Sequence, residues 1–494
     1  MFNTNSVAAR LVLVVIAGAC CIAAQQPQAG PQGNGRGGAP APNGRGGAAG
    51  PNGRGGAPAP TWKTEEYLLL GDANRGAGEP MIAVDPTNPK NIVVDAMASL
   101  QQLPPELAGQ NRNEISRSTI TTLAVTHNGG ITWKLGELPA LYSPLQRCPD
   151  PTMDVTKDGI FLGGCEVITT VPGGNSGSVV MISLDKGESW GPRAETVGQT
   201  VSRFAPGIKP AIGHAAPFDR PFLAIDDSTG TIYGVAQGGT SVGPDGNSRS
   251  QSFITASTDG GKSFGTIYAW DSNGTDYRQT SRGIGEAAAF GEVAVIYGAA
   301  NVPASERATC PCTVFGLSHD QAKTFTYHVL SPLPGAAQRL IADQTKAGRY
   351  SILRYVSAPT PHYEVTTTED HGQTWSQPVN AGSTPEAASL TKPAIKYSHG
   401  GVLALIWRAI YQDGSYDVWG AISKNQGKTF SRPLRISHAK SPSQDPIRVG
   451  ANDDFQDVAV DDANVHLVWA DARAGFQGVF YGRAPFLAFE FPSN

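Results

Sequence analysis

One short pattern, repeated six times, constrains this chain more than any other feature: a hydroxyl residue, a variable one, Asp or Asn, two positions ending in Gly, a further variable residue, Ser or Thr, and an aromatic. The copies begin at Thr126, Ser183, Ser257, Ser318, Thr368 and Ser423, 50 to 74 residues apart. Their acidic or amide positions are Asn128, Asp185, Asp259, Asp320, Asp370 and Asn425, and their aromatics are Trp133, Trp190, Phe264, Phe325, Trp375 and Phe430. This is hairpin chemistry. The Asp or Asn side chain accepts backbone N–H groups across a turn, the Gly takes a positive φ, and the aromatic packs beneath the loop. Ala322 replaces the Gly of the fourth copy, and two copies carry Asn for Asp, so those turns are expected to be looser.

Each copy is preceded by two β-rich runs around a turn, such as Met81-Ile-Ala-Val84 with Asn91-Ile-Val-Val94, or Lys392-Pro-Ala-Ile395 with Val402-Leu-Ala-Leu-Ile-Trp407. A seventh unit, without the short pattern, starts at Gln456-Asp-Val-Ala-Val460 and continues through Val465-His-Leu-Val-Trp469. Two inner strands, a third entering the turn and a fourth leaving it make a four-stranded propeller blade, so the expected fold is all-β with seven blades. The last unit ends on a third strand, Gly478–Arg483, and Glu65–Leu70 supplies its fourth, closing the ring and removing exposed edges. A six-bladed ring is the alternative and requires one unit to be an insertion. The short pattern resembles the Asp box, or BNR repeat, of the sialidase superfamily. That resemblance implies a propeller in which the Asp-box carboxylates are structural.

Residues 1–24 have a polar start with Arg10, an apolar run from Leu11 to Ala19 and small residues beyond, which reads as a secretory signal. The run is too short for the roughly 20 residues of a spanning helix, so no membrane-spanning segment is expected after processing. Secretion to the periplasm or beyond follows, and Cys20 loosely resembles a lipoprotein processing site. Residues 25–61, with Asn-Gly-Arg-Gly-Gly-Ala at Asn34, Asn43 and Asn52, hold too little apolar mass to fold and form a linker, leaving 62–494 as the propeller. Net charge is −4 without a Lys/Arg cluster, which argues against a nucleic-acid partner. An oxidising compartment suits a Cys148–Cys165 disulfide, whereas Cys310-Pro-Cys312 reads as a local bridge or two free thiols.

The residue just before each first strand should ring one mouth of the channel: Glu79, Asp150, Arg220, Glu286, Arg339, Lys392 and Gln456. Mutual ion pairing that braces the blades and a ligand site are both open readings of that ring. The resemblance implies an arginine triad around a sugar carboxylate, a Tyr nucleophile and carboxyl acid/base groups. Carried onto this sequence, it gives Arg220, Arg339 and Arg408 for substrate binding, with Arg354 and Arg473 in reserve, Tyr411 as nucleophile, and Glu79 and Asp150 as acid/base groups. The family's Phe/Tyr-Arg-Ile-Pro motif is absent; its place reads Ala77-Gly78-Glu79-Pro80. His127, His214, His319 and His371 lack metal-ligand spacing; Asp453-Asp454 and Asp461-Asp462 could coordinate calcium but read first as solvated turn pairs, so no metal or cofactor is assigned. The implied function is a glycoside hydrolase of exo-alpha-sialidase type acting on sialylated or related extracellular glycans. The alternative is a non-catalytic glycan- or protein-binding propeller.

Overall fold

The computed structural model describes residues 63–100, 119–141, 146–169, 176–198, 201–211, 218–243, 246–271, 276–280, 282–330, 336–443 and 453–492. The expected signal, linker and Cys20 lie outside these residues. Seven antiparallel sheets of at least four strands follow one another along the chain. Blade I comprises Arg75–Val84, Ile92–Leu100, Ile120–Thr126 and Lys134–Glu137. The first strands of blades II to VII are Thr152–Val155, Leu223–Asp226, Gly285–Ala289, Ala336–Ala342, Ser389–Tyr397 and Asp457–Val460. Glu65–Leu70 pairs antiparallel with Gly478–Pro485 as the fourth strand of blade VII, so the expected ring closure is present. Trp133 of blade I ties that closing strand down, its indole Nε1 donating to the Tyr67 hydroxyl at 2.7 Å. Among the described residues no helix is long and apolar enough to cross a membrane.

Alternating strands bury apolar residues between blades rather than within one central core. Each of the seven blade junctions has its own cluster: Val93 and Val125 of blade I meet Met153 and Phe161 of blade II, and Ala459 and Val468 of blade VII meet Ile82 and Val94 of blade I. The same holds at the other five junctions. A blade removed from the ring would expose both faces, so the fold is held by its closure.

All six Asp boxes form one hydrogen-bond set. In the second, Asp185 Oδ1 accepts the Ser189 N–H at 2.9 Å and the Ser183 hydroxyl at 2.8 Å, while that hydroxyl accepts the Gly187 N–H at 2.8 Å. The looser turns expected at Ala322 and at the Asn boxes do not occur. Ala322 adopts φ 67° and its N–H reaches Ser318 at 3.0 Å; Asn425 Oδ1 accepts the Thr429 N–H at 2.9 Å. The side-chain oxygen that closes the turn is common to Asp and Asn, so the exchange leaves the geometry intact. Cys148 and Cys165 form the expected disulfide, and Cys310 is bridged to Cys312.

Candidate functional site at the channel mouth

Register places the two ends of each blade on opposite faces. Val84 and Thr126 both pair with Ile92, so the Asp boxes lie at the end where the first strands finish, and Glu79 lies at the other. That other end is the mouth. There, Glu79, Asp150, Arg220 and Lys392 have φ of 50°, 48°, 55° and 51°. Left-handed backbone costs a non-glycine residue about 1–2 kcal/mol. Each of the four precedes a proline, Pro80, Pro151, Pro221 or Pro393. Proline has no N–H to give to the ladder, and the register slips between Gly78 and Met81 and between Thr391 and Ala394. The charged-residue–proline pairs thus interrupt the inner strands and re-aim four charged side chains at one end of the channel.

Much of this charge fastens one segment, Asp453–Gln456, across the mouth. Arg408, 2% exposed, grips Asp453 through both guanidinium nitrogens at 2.5 and 2.9 Å and donates to Gln456 at 3.2 Å. Burial pulls the Arg408 guanidinium down, but Asp453 outweighs it and leaves it above its ordinary value. Lys392 stands 4.0 Å from Asp453, Arg220 pairs with Asp454 at 3.2 Å, and the Asp454 N–H donates to Glu79 at 3.3 Å. Phe222 and Phe455 meet edge to face at 5.6 Å. Blades III and VII are as far apart as a ring of seven allows, so this contact and the Arg220–Asp454 pair cross the axis.

Two further bridges cross it deeper in. Lys396 of blade VI lies 3.7 Å from Asp154 of blade II and 3.8 Å from Asp457, and His399 of blade VI lies 2.9 Å from Asp227 of blade III. The hydrogen bond to Asp227 holds His399 above the usual imidazole value. Around these bridges the channel holds a space of about 250 Å³ lined by the first strands, with Gln237, Glu286, Arg339 and Phe222 on its wall. Glu286 accepts from Gln237 Nε2 at 2.5 Å, and burial, opposed by Gln237 and by Arg339, pushes its carboxyl up to about 7. Arg339 donates to the Gln338 carbonyl at 2.9 Å and has no carboxylate within salt-bridge distance among the described residues. Burial and the like charge of Arg220 together hold its guanidinium below the ordinary value.

A second group of acids sits beside the mouth. Glu79 is fully buried, and burial with the adjacent Asp150 raises its carboxyl well above the usual range. Burial and a contact with Asp219 raise Asp150 to about 6. Glu166, on the second strand of blade II, is also buried and raised, first by burial and then by Asp150 and Asp219.

Of the six sequence candidates, Arg220 and Arg339 come together, as do Glu79 and Asp150. Arg408 is bound up with Asp453. The Tyr411 hydroxyl donates to Asp417 at 3.0 Å and Lys440 stands over its ring at 3.6 Å, with the side chain packed against the core between blades V and VI. The reserve arginines are also engaged, Arg473 with Asp471 and Glu66, and Arg354 with Glu364 at 3.7 Å. Glu286 stands in the expected ring, and what singles it out, its place beside Arg339 of the neighbouring blade, is a feature of the structure.

No family model and no curated protein matches this chain. Among solved structures, it is similar to a protein of unknown function from Dyadobacter fermentans, at 11% identity and a TM-score of 0.47 over 87% of this chain and 100% of that one. It is also similar to a Hadza microbial sialidase, at 13% identity and a TM-score of 0.41 over 75% and 74% of the two chains. A third is a polysaccharide lyase family PL25 ulvan lyase, at 14% identity and a TM-score of 0.43 over 84% and 95%.

Proposed function

We propose that the chain is a carbohydrate-active propeller that takes an acidic sugar unit into its channel mouth and cleaves its glycosidic bond there. One observation carries this: Glu286, a carboxyl raised to about 7, shares a narrow space with Arg339, a guanidinium without an ion-pair partner among the described residues. A group that titrates near the working pH is suited to moving a proton in either direction. An unpaired guanidinium offers a carboxylate two parallel hydrogen bonds, and Arg220 adds charge beside it. A space of about 250 Å³ falls below the roughly 300–1,000 Å³ of pockets for drug-sized ligands, so a single sugar unit enters rather than a chain. Glu286 donates a proton to the leaving glycosidic oxygen and recovers one from the water that adds to the anomeric carbon, while Arg339, with Arg220, holds the carboxylate. An exported location and extracellular glycans as substrates belong to the same proposal, supported by two disulfides.

A second reading, glycan binding without turnover, is favoured by one observation: Tyr411 and Arg408 are both held by other carboxylates, so a sialidase-type nucleophile and third arginine are not assembled. Fluorogenic sialosides and hexuronides separate the two. Turnover by the wild type should show a pH limb near 7, fall about a hundredfold or more in Glu286→Gln, and show a raised KM in Arg339→Ala. Absence of turnover on every substrate, with acidic glycans still retained on an array and released by Arg339→Ala, establishes the binding module instead.

A further inference from the structure

We infer that Asp150, Glu166 and Asp219 form a site for a hard divalent cation, calcium foremost, on the rim between blades II and III. A carboxylate oxygen of each lies within 4.8 Å of the others. Oxygens bound to one calcium ion at about 2.4 Å can stand at most about 4.8 Å apart, so the three fit around a single ion. The donors are all oxygen, which selects calcium, magnesium or manganese over zinc or copper.

Acidic residues grouped near solvent are ordinary; two features here are not. Glu166 is 3% exposed, and among the described residues its buried Oε1 atom has no hydrogen-bond partner, as is true of Oε2 of the fully buried Glu79 that adjoins Asp150. An ionised carboxylate removed from water without a partner costs several kcal/mol, and a cation supplies what the protein leaves out. The chain also fixes the ligands in advance. The Cys148–Cys165 disulfide joins the residue two before Asp150 to the residue just before Glu166, so two of the three donors hang from one covalent clamp. Arg282 reaches Asp219 at 2.6 Å and Arg147 acts on Glu166, which leaves the four acids only partly balanced. Glu286 and Arg339 are not among these ligands, but the cation site adjoins the proposed sugar site through Arg220, which follows Asp219 in the chain and acts on Asp150.

The test uses the full chain, stripped with EDTA and titrated calorimetrically with calcium, magnesium and zinc chlorides. One calcium ion should bind and raise the thermal midpoint, with zinc much weaker. Asp219→Asn and Glu166→Gln should each weaken calcium at least about tenfold. Glu166→Gln without metal should be no less stable than the wild type, because it replaces a buried carboxyl whose Oε1 has no hydrogen-bond partner among the described residues, and that separates loss of a ligand from loss of the fold. No calcium or magnesium binding at millimolar concentration, zinc preferred over calcium, or both variants binding as the wild type does would each overturn the site. Glycoside turnover with no cation binding leaves the sugar proposal intact, and cation binding with no turnover leaves the cation site intact.

Discussion

The two faces of this ring are built by opposite methods. On the box face, six turns repeat one set of bonds between residues at most four apart, such as Asp370 with Thr368 and Thr374. On the mouth face, no two blades present the same side chain in the same setting, and the partners come from distant parts of the chain: Arg220 with Asp454, Arg408 with Asp453, Lys396 with Asp154. The first face has one task, turning a strand, and repetition suits it. The second must lock blades across an axis and still leave one space open, which calls for a different residue at each blade.

Arg408 offers the largest break in that contrast. Removing one partner from a buried ion pair leaves the other charged and unpaired, at about 3–5 kcal/mol. Arg408→Ala should therefore lower unfolding stability in urea by that amount, and Arg408→Ala combined with Asp453→Ala should recover a large part of it. If stability instead stays within about 1 kcal/mol of wild type and only glycan affinity falls, Arg408 belongs with the ligand arginines and the mouth is less braced than its bonds suggest.

The contrast also explains what could be read from the sequence. The boxes were legible because every partner lies within one turn, and the blade count followed from counting strand pairs, including the closing strand at Glu65–Leu70. The ring of charged residues was legible as a position. Its pairings were not, because which blade faces which across the channel depends on the closed geometry, and nothing near Arg408 in the sequence points to Asp453. One local sign was available: four of the seven ring residues precede proline, and those are the four with positive φ. Glu286 and Arg339 lack that sign, and their importance comes from burial and from what does not pair with them.

Glu286 gives an effect of intermediate size, read through pH. Its folded value of about 7 lies above the unfolded value of about 4.3. An acid raised on folding is fully compatible with the folded state below the unfolded value and opposes it as pH rises through the folded one. At about 1.4 kcal/mol per unit, the wild type should lose roughly 3 kcal/mol relative to Glu286→Gln between pH 4.5 and pH 8. Parallel stability curves for the two proteins over that range would mean that Glu286 titrates normally and has no special part at the mouth.

The smallest effect belongs to the box face, where Asp185→Asn should change almost nothing at neutral pH. Two native boxes already carry Asn and keep the same main-chain bond, with one reversal: Asn425 Nδ2 donates to the Thr429 hydroxyl at 2.9 Å, whereas the Ser189 hydroxyl donates to Asp185 Oδ2 at 2.5 Å. Below about pH 4 the two should part. Bonds from Ser189 hold the Asp185 carboxyl down at about 2, so the stability it contributes is complete above the unfolded value near 3.9 and is lost as pH falls through about 2. The amide has no proton to gain and keeps its bonds throughout. Asp185→Ala, which loses the acceptor altogether, should cost about 1 kcal/mol at pH 7 and less at low pH, where the wild type is itself losing that contribution. Thermal midpoints of the three proteins at pH 7 and pH 2.5 test this. A large loss for Asp185→Asn at pH 7 would show that the box needs its charge, and the two faces would then differ less than their bonding implies.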